Sequence, residues 1–463
     1  MKIHDGSAEN IRIAYIGGGS REWAVKLMMD LALEESLSGT IILYDIDREA
    51  AAENERMGNA ISARADVKGK WQYRTADSIE AALRGADFVI ISILPGTFTE
   101  MASDVHAPEK YGIYQSVGDT AGPGGLMRAL RTIPIYIDFA EKIKAIAPDA
   151  WVINYTNPMT LCTRILYKIF PEIKAFGCCH EVFWTQNLLA EVLREEAGIW
   201  GVRREEIKTN VLGINHFTWI TQATCRGIDL FPIYRNFVTQ HFEEGYSDPT
   251  HGPWEADVFS YANRVKFDLF RRYGLIAAAG DRHLAEFAPL SWYLKDPETV
   301  KAWKFHLTTV DFRVKRRAEW NVKRPEMTAN AADIPLKPSG EEGVRQIKAL
   351  LGLGDIVTNV NLPNCGQMAG APADAVVETN AYFTRNSIRP VVAGKFPPPL
   401  QGLVLRHISN HETILEAALR KDSELAFGAF VNDPLVPIGL ADARELFATM
   451  LENTREYLPG WKL

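Results

Sequence analysis

Three things are scarce in this chain of 463 residues. Positive charge is outweighed, with 51 Lys and Arg against 58 Asp and Glu and a formal net charge of -7. That balance disfavours a nucleic-acid partner, which recruits a basic face. No apolar run reaches the ~20 residues of a bilayer-spanning helix, so no membrane partner is expected. Cysteine is sparse, at Cys162, Cys178, Cys179, Cys225 and Cys365. An odd, widely spaced set does not read as a disulfide framework, and reduced thiols fit better. The opening Met-Lys-Ile-His-Asp-Gly-Ser lacks the apolar core of a secretory signal, which makes a cytoplasmic location the expectation.

What is present is strand–helix alternation. Ile11–Ile16, Thr40–Tyr44, Asp87–Ile93, Ala150–Asn154 and Ile173–Cys178 are apolar runs of strand length, and Glu22–Glu34 carries apolar residues at helical spacing. Such alternation predicts an α/β fold, with a doubly wound parallel sheet covered by helices on both faces. Beyond about Arg203 the alternation fades. Val211–Ala223 reads as one strand-like stretch and Glu255–Tyr273 as a long helix. Arg324–Gly343 and Arg389–Gly402 read as surface loops, Asn359–Glu378 as mixed loop and strand, and the last 60 residues as helical. The length exceeds one ordinary core. Two lobes follow, 1–203 for the parallel sheet and 204–463 for an α+β lobe that binds substrate and metal and mediates oligomerisation.

Gly17, Gly18, Gly19 and Ser20 lie between the first long strand and its helix, where a tight turn must approach a pyrophosphate closely. The usual third glycine is replaced by Glu22. Asp45 ends the next strand, where a carboxylate accepts the ribose hydroxyls of NAD and repels the extra phosphate of NADP, with Asp47 as the fallback. Glycine turns also occur in α/β folds without nucleotides.

Four further motifs carry chemistry. Gly118-Asp-Thr-Ala-Gly-Pro-Gly-Gly125 precedes Arg128 and Arg131 at i,i+3 spacing, and reads equally as a ligand loop or as a helix start with solvated arginines. Asn154-Tyr-Thr-Asn157-Pro158 ends a predicted strand, where amides meet sugar hydroxyls or simply shape a turn. Cys179 and His216 pair a soft sulfur with an imidazole, suited to Mn, Fe, Co, Ni or Zn, while a structural cysteine and a satisfied core histidine fit the spacing as well. Gly280-Asp281-Arg282-His283 offers a general base at Asp281 and anion contacts at Arg282 and His283, or else a helix N-cap. His407 and His411 have metal-like i,i+4 spacing but no third ligand, and read as surface residues of a polar helix.

In combination and order, Gly-Gly-Gly-Ser, Tyr-Asp-Ile-Asp, Thr-Asn-Pro, Gly-x-Cys-His, Gly-x-Asn-His and Asn361-Leu-Pro-Asn364-x-Gly366 resemble glycoside hydrolase family 4 across essentially the whole chain. The family is an exception to two-carboxylate glycoside hydrolysis. Cys179-His180, where phosphosugar members carry Cys-Asp, and Asp281 at the position of their tyrosine base make the chain similar to the branch acting on unphosphorylated α-glycosides, most like its α-galacturonidases.

The resemblance implies NAD and a Mn2+-like ion on Cys179 and His216. It implies hydride removal from sugar C3, C2 deprotonation by Asp281, aglycone departure assisted near His180, water addition and return of the hydride. Asn157 would orient sugar and nicotinamide, Arg128, Arg282 and His283 would meet a uronide substrate, and a homodimer or homotetramer is expected. The rivals are an α-galactosidase or α-glucosidase of the same family, a hydroxy-acid NAD-dependent dehydrogenase, and a non-catalytic NAD-binding regulator.

Overall fold

The computed structural model describes residues 1–247 and 252–461. In chain order its strands are β1 (Lys2–His4), β2 (Ser7–Ile16), β3 (Leu37–Tyr44), β4 (Lys70–Thr75), β5 (Phe88–Ile91), β6 (Trp151–Asn154), β7 (Lys174–Gly177), β8 (Lys208–Ile214), β9 (Phe217–Cys225), β10 (Ile228–Asp229), β11 (Ile276–Ala277), β12 (Ile356–Pro363), β13 (Val376–Thr384) and β14 (Ser387–Pro390).

A ten-stranded sheet runs β14-β13-β12-β7-β6-β5-β2-β3-β4, with β1 paired to β2. Its six parallel strands read third, second, first, fourth, fifth, sixth, the order of a Rossmann-type dinucleotide fold. The order reverses between β2 and β5, so the crevice at their C-terminal ends faces the loops after Ile16 and Ile91. Every residue of β5 is buried, because helices cover both faces. β4, absent from the sequence expectation, alternates buried Trp71 and Tyr73 with exposed neighbours, as an edge strand covered on one face does.

The sheet does not stop at the expected lobe boundary near residue 203. β12 continues it antiparallel beyond β7 through the pair Asn361↔Gly177, and β13 and β14 follow. A four-stranded sheet of β8 to β11 packs beside it. Here the single stretch expected over Val211–Ala223 is a hairpin. Ile214 pairs with Phe217, and the two-residue turn Asn215-His216 puts His216 in the left-handed region at φ 64.

The helix expected over Glu255–Tyr273 is Arg264–Tyr273 only. Asn263, at φ 57, cannot continue a right-handed helix into it. The loop expected over Arg324–Gly343 begins as the end of the helix Val310–Ala329, which runs through Pro325.

His407 and His411 are not surface residues. The helix Pro398–Arg420 is packed in the core and leaves them 2% and 5% exposed. His407 Nε2 lies 2.9 Å from the Phe287 carbonyl, with its ring edge-on to Phe217 and Phe287. Nor is the helix Gly122–Ile146 a carrier of solvated arginines. Arg128 and Arg131 are both buried in it.

Candidate active site

The glycine turn is tight because protein, rather than solvent, surrounds it. A Cβ on Gly17 (φ 88) would stand 1.9 Å from the Ser92 carbonyl oxygen, and one on Gly18 2.8 Å from the Leu43 Cα. Asp45 takes the Gly19 N–H at 2.8 Å and the Asp47 N–H at 2.9 Å. Burial pushes its carboxyl up, against the pull of those N–H donors. Asp47 caps the helix Arg48–Ser62 and pairs with Arg21 at 3.0 Å, so it is tied into the scaffold. Ser20 Oγ accepts the Trp23 N–H, the first of the helix Trp23–Leu33. Glu22, at the missing third glycine, makes a two-pronged pair with Arg316 at 2.8 and 2.9 Å. That pair fastens the turn to the helix Val310–Ala329.

The neighbouring crevice lies beyond β5, β6 and β7. Asn154 ends β6 and accepts the Tyr136 hydroxyl at 2.6 Å. Asn157 follows, with a cis bond to Pro158. Its carbonyl accepts Arg128 Nε at 3.0 Å, its amide nitrogen lies 3.4 Å from Asp119, and its buried Oδ1 has no partner.

The glycine-rich loop after Val117 does not hold free backbone donors toward a ligand at its start. Glu286 Oε1 accepts the Val117 and Gly118 N–H at 2.7 and 2.8 Å, Gln115 takes that of Gly124, and Asp433 that of Gly122. The glycines are there for packing: a Cβ on Gly125 would meet the Thr120 carbonyl carbon at 2.4 Å. The loop presents Asp119.

Asp119, His216 and His283 bring one ligand atom each to within 4.8 Å of one another. The two imidazoles stack with centroids 3.8 Å apart, and His216 Nδ1 lies 3.1 Å from Thr120 Oγ1. Burial, reinforced for His216 by its histidine neighbour, pushes each imidazole down to about 3, so both are neutral lone-pair donors. Burial alone would raise Asp119. Arg128, His283, His216 and Arg313 overcome it and hold the carboxyl well below the usual range. An anion beside two neutral imidazoles is a donor set for a divalent cation.

Cys179 is buried after β7, with its thiol beside the side chain of Asn215, the residue before His216. Burial, with Glu378 and Glu181 nearby, pushes the thiol up. Glu378 is itself gripped by Asn215, Asn359 and Asn361 at 3.2, 2.7 and 3.0 Å, which anchors the His216 turn to β12 and β13. Glu181 joins the parts. Its Oε2 accepts the Gly280 N–H at 2.7 Å, and its Oε1 lies 3.9 Å from His283 Nε2 and 3.8 Å from His180 Nε2. His180 keeps 29% of its side chain exposed, with Nδ1 3.4 Å from Glu341 and its ring against Trp23.

Asp281 is fully buried. It accepts the Val265 and Lys266 N–H at 3.2 and 3.1 Å, and so caps the helix Arg264–Tyr273 from a distance in the chain. Burial raises its carboxyl to about 6 against the opposing pull of Lys266, whose own ammonium burial lowers to about 8. Arg282 is buried and donates to Thr308 Oγ1 at 2.5 Å.

The structure therefore gathers Asn157, Arg128, His216 and His283 around Asp119. It sets Cys179 one residue away through Asn215 and links His180 to His283 through Glu181. Asp119, Glu181, Glu286, Glu378 and Arg313 were not singled out from the sequence. Asp119, Glu181 and Glu286 each had a signal, lying in the glycine-rich loop, the Gly177–Glu181 motif and the Gly280–Glu286 motif.

A Rossmann-type sheet with a tight glycine turn, opening onto a buried acid–imidazole–arginine cleft, defines a class: α/β enzymes that work on a small polar molecule beside a dinucleotide fold. Residues 12–195 match the model of the family 4 glycosyl hydrolases and 211–436 that of their C-terminal domain. The chain belongs to glycosyl hydrolase family 4. It is 62% identical over 466 residues to the alpha-galacturonidase of Thermoanaerobacterium saccharolyticum, covering 100% of both chains. A crystal structure from Bacillus subtilis superposes with TM-score 0.92 at 54% identity, covering 96% of this chain and 100% of that one. A 6-phospho-alpha-glucosidase from gut microorganisms, solved with NAD and Mn2+, shares the fold with TM-score 0.82 at 19% identity, covering 98% and 100%.

Proposed function

We propose that this protein is an α-galacturonidase that hydrolyses unphosphorylated α-galacturonides with the help of NAD and a divalent metal such as Mn2+. The observation that carries the reading is the full-length 62% identity to the alpha-galacturonidase of Thermoanaerobacterium saccharolyticum. The structurally similar 6-phospho-alpha-glucosidase was solved with both cofactors.

The residues present fit both groups. Asn157 Oδ1 is a buried acceptor without a partner, suited to an amide donor such as a nicotinamide carboxamide. Asp45 keeps lone pairs for ribose hydroxyls beyond its two backbone bonds. His283 Nδ1 is likewise buried and unpartnered. We assign the ion to His216, with Asp119 and His283 beside it in one cluster, and to Cys179, which lies outside that cluster and next to Asn215. When bound, the nicotinamide supplies a reversible hydride acceptor for a sugar carbon, and the ion supplies Lewis-acid relief of negative charge on sugar oxygens.

The chain's own groups move the protons. Asp281 receives the proton from sugar C2. Its carboxyl, set near 6 by burial, is ionised at neutral pH yet basic enough to serve. Lys266 and the amides of the helix start hold it in place. His180, at the open side of the cleft, delivers a proton to the departing oxygen, steadied by Glu341 and Trp23. Asn157 and Arg128 orient the sugar around Asp119.

A homodimer or homotetramer is our reading of the assembly, to be checked by light scattering. A cytoplasmic location agrees with five free cysteines; no described helix is long and apolar enough to cross a membrane.

The test is hydrolysis of aryl α-D-galacturonide beside the α-galactoside and α-glucoside, with NAD+, Mn2+ and reductant each present or withheld. Preferential uronide cleavage that needs both cofactors, without NADH build-up, is the expected result. Preferential cleavage of a neutral sugar would move the substrate, and NADH accumulating on a hydroxy acid would hand the protein to the dehydrogenases.

A further inference from the structure

The helix Gly122–Ile146 carries two buried arginines one turn apart, and they are treated differently. Arg131, 1% exposed, has its counter-ion: both its terminal nitrogens reach the Asp104 carboxylate, at 3.0 and 2.5 Å. Arg128, 7% exposed, has none. Arg282, 8% exposed, and half-buried Arg313 share that condition. Among the described residues no carboxylate lies within 4.0 Å of any of the three. Their hydrogen bonds go to uncharged oxygens of Asn157, Thr308 and Val117. Arg282 Nε and Arg313 Nε are buried with no partner at all, and the Arg282 guanidinium lies 4.8 Å over the Phe259 ring.

Buried guanidinium groups held apart from an ion partner are unfavourable unless an anion arrives from outside. The acids facing them are Asp119, Glu181 and Glu286. Glu286 Oε1 accepts two backbone N–H groups while its Oε2 is buried without a partner. Glu181 holds Gly280, and Asp119 faces the two histidines and, from beyond ion-pair distance, Arg128 and Arg313.

The helix Val310–Ala329 sorts its cations by position. Arg316 pairs with Glu22 and Arg317 stands 3.9 Å from Asp47, both at the dinucleotide turn. Arg313, one turn earlier, faces the loop that bears Asp119 and remains unpaired. The cations that lack a direct ion pair thus gather around the loop that bears Asp119.

We infer that Arg313 and Arg282, backed by Arg128, form the subsite that receives the C6 carboxylate of the sugar and selects a uronide over a neutral hexoside. The inference rests on the uronide reading above. Two guanidinium groups, each with a buried Nε that has no partner, match the planar, two-oxygen geometry of a carboxylate, which a neutral hydroxymethyl group cannot replace.

Calorimetric titration of the NAD+- and Mn2+-loaded protein with D-galacturonate and with D-galactose tests it. Wild type should bind galacturonate more tightly. Arg313→Met should raise the galacturonate Kd by roughly 10- to 100-fold, the size of a lost charge-assisted hydrogen bond, and shrink the preference over galactose. Arg313→Lys should restore part of it, which also guards against a merely unfolded Met variant. Equal weakening for both sugars would overturn the subsite. So would a weakened NAD+ Kd with galacturonate untouched, which would assign the arginines to the cofactor's diphosphate. Tight, arginine-dependent galacturonate binding in a protein that cleaves only neutral glycosides would keep the subsite and remove the proposed activity. Uronide cleavage and binding unchanged in Arg313→Met would do the reverse.

Discussion

The two ends of the cleft are built on opposite terms. At the dinucleotide end the polar groups answer one another within the scaffold. Asp45 braces Gly19 and Asp47, Asn54 donates to the Gly18 and Ser20 carbonyls at 2.7 and 2.9 Å, and Glu22 is clamped by Arg316. At the end proposed to hold the sugar they do not. Asn157 Oδ1, His283 Nδ1, Arg282 Nε and Arg313 Nε are buried without partners. The first arrangement is braced within the scaffold, and the second is the one we propose a ligand completes.

That contrast can be broken most forcefully at the proposed ion. Cys179→Ser and His216→Ala should each lower metal-dependent turnover by ~10³-fold, beyond the 10- to 100-fold typical of outer-shell groups, while the NAD+ Kd measured by fluorescence stays put. Wild-type rates in either variant would leave that residue with no ligand role.

Next in size is the pair of arginines one turn apart. Arg131→Met strands Asp104 in the core and should remove about 3–5 kcal/mol of stability in urea unfolding. Arg128→Met breaks no direct ion pair, only the longer-range attraction to Asp119, and should remove clearly less. Equal losses would mean that Arg128 is structural too.

Gly17→Ala probes the rigid end itself. Left-handed backbone and a Cβ driven onto the Ser92 carbonyl should cost ~2 kcal/mol, read by thermal unfolding. An unaffected midpoint would show that the turn yields.

The smallest effect is a pH slope. Burial raises the Glu286 carboxyl from 4.5 to about 8, so the folded state keeps a proton that the unfolded state releases. The linked stability is complete below pH ~4.5 and is lost as pH rises through about 8. The slope is at most ~1.4 kcal/mol per pH unit, and Glu286→Gln should flatten it relative to wild type. Parallel curves for the two proteins would show that Glu286 is already ionised in the fold.

Much of this molecule was legible because its signals are local. Strand, glycine turn, helix and acidic strand end all fall between Ile11 and Asp45, and the apolar runs of β2, β3, β5, β6 and β7 declare burial on both faces. Elements with mixed signals were harder. β4 alternates too briefly to stand out, the His216 turn hides inside an apolar run, and Pro325 disguises a helix. His407 and His411 looked polar in sequence but lie on the buried side of a helix whose exposed face carries Gly402, Arg406 and Ser409.

The sequence by itself determined the parallel sheet, the dinucleotide turn and, through its ordered motifs, the family. Each of these is carried by residue types at short or fixed spacing, which backbone sterics and periodicity translate directly. Only the tertiary structure decided how the proposed sugar end is assembled. Glu286 reaches back 168 residues to hold the loop bearing Asp119, and Glu378 reaches 163 residues to hold the turn bearing His216. Arg313 faces that loop from a helix almost 200 residues away. Which buried charges meet a partner, and which are left for a ligand, depends on distances between segments that no local pattern encodes.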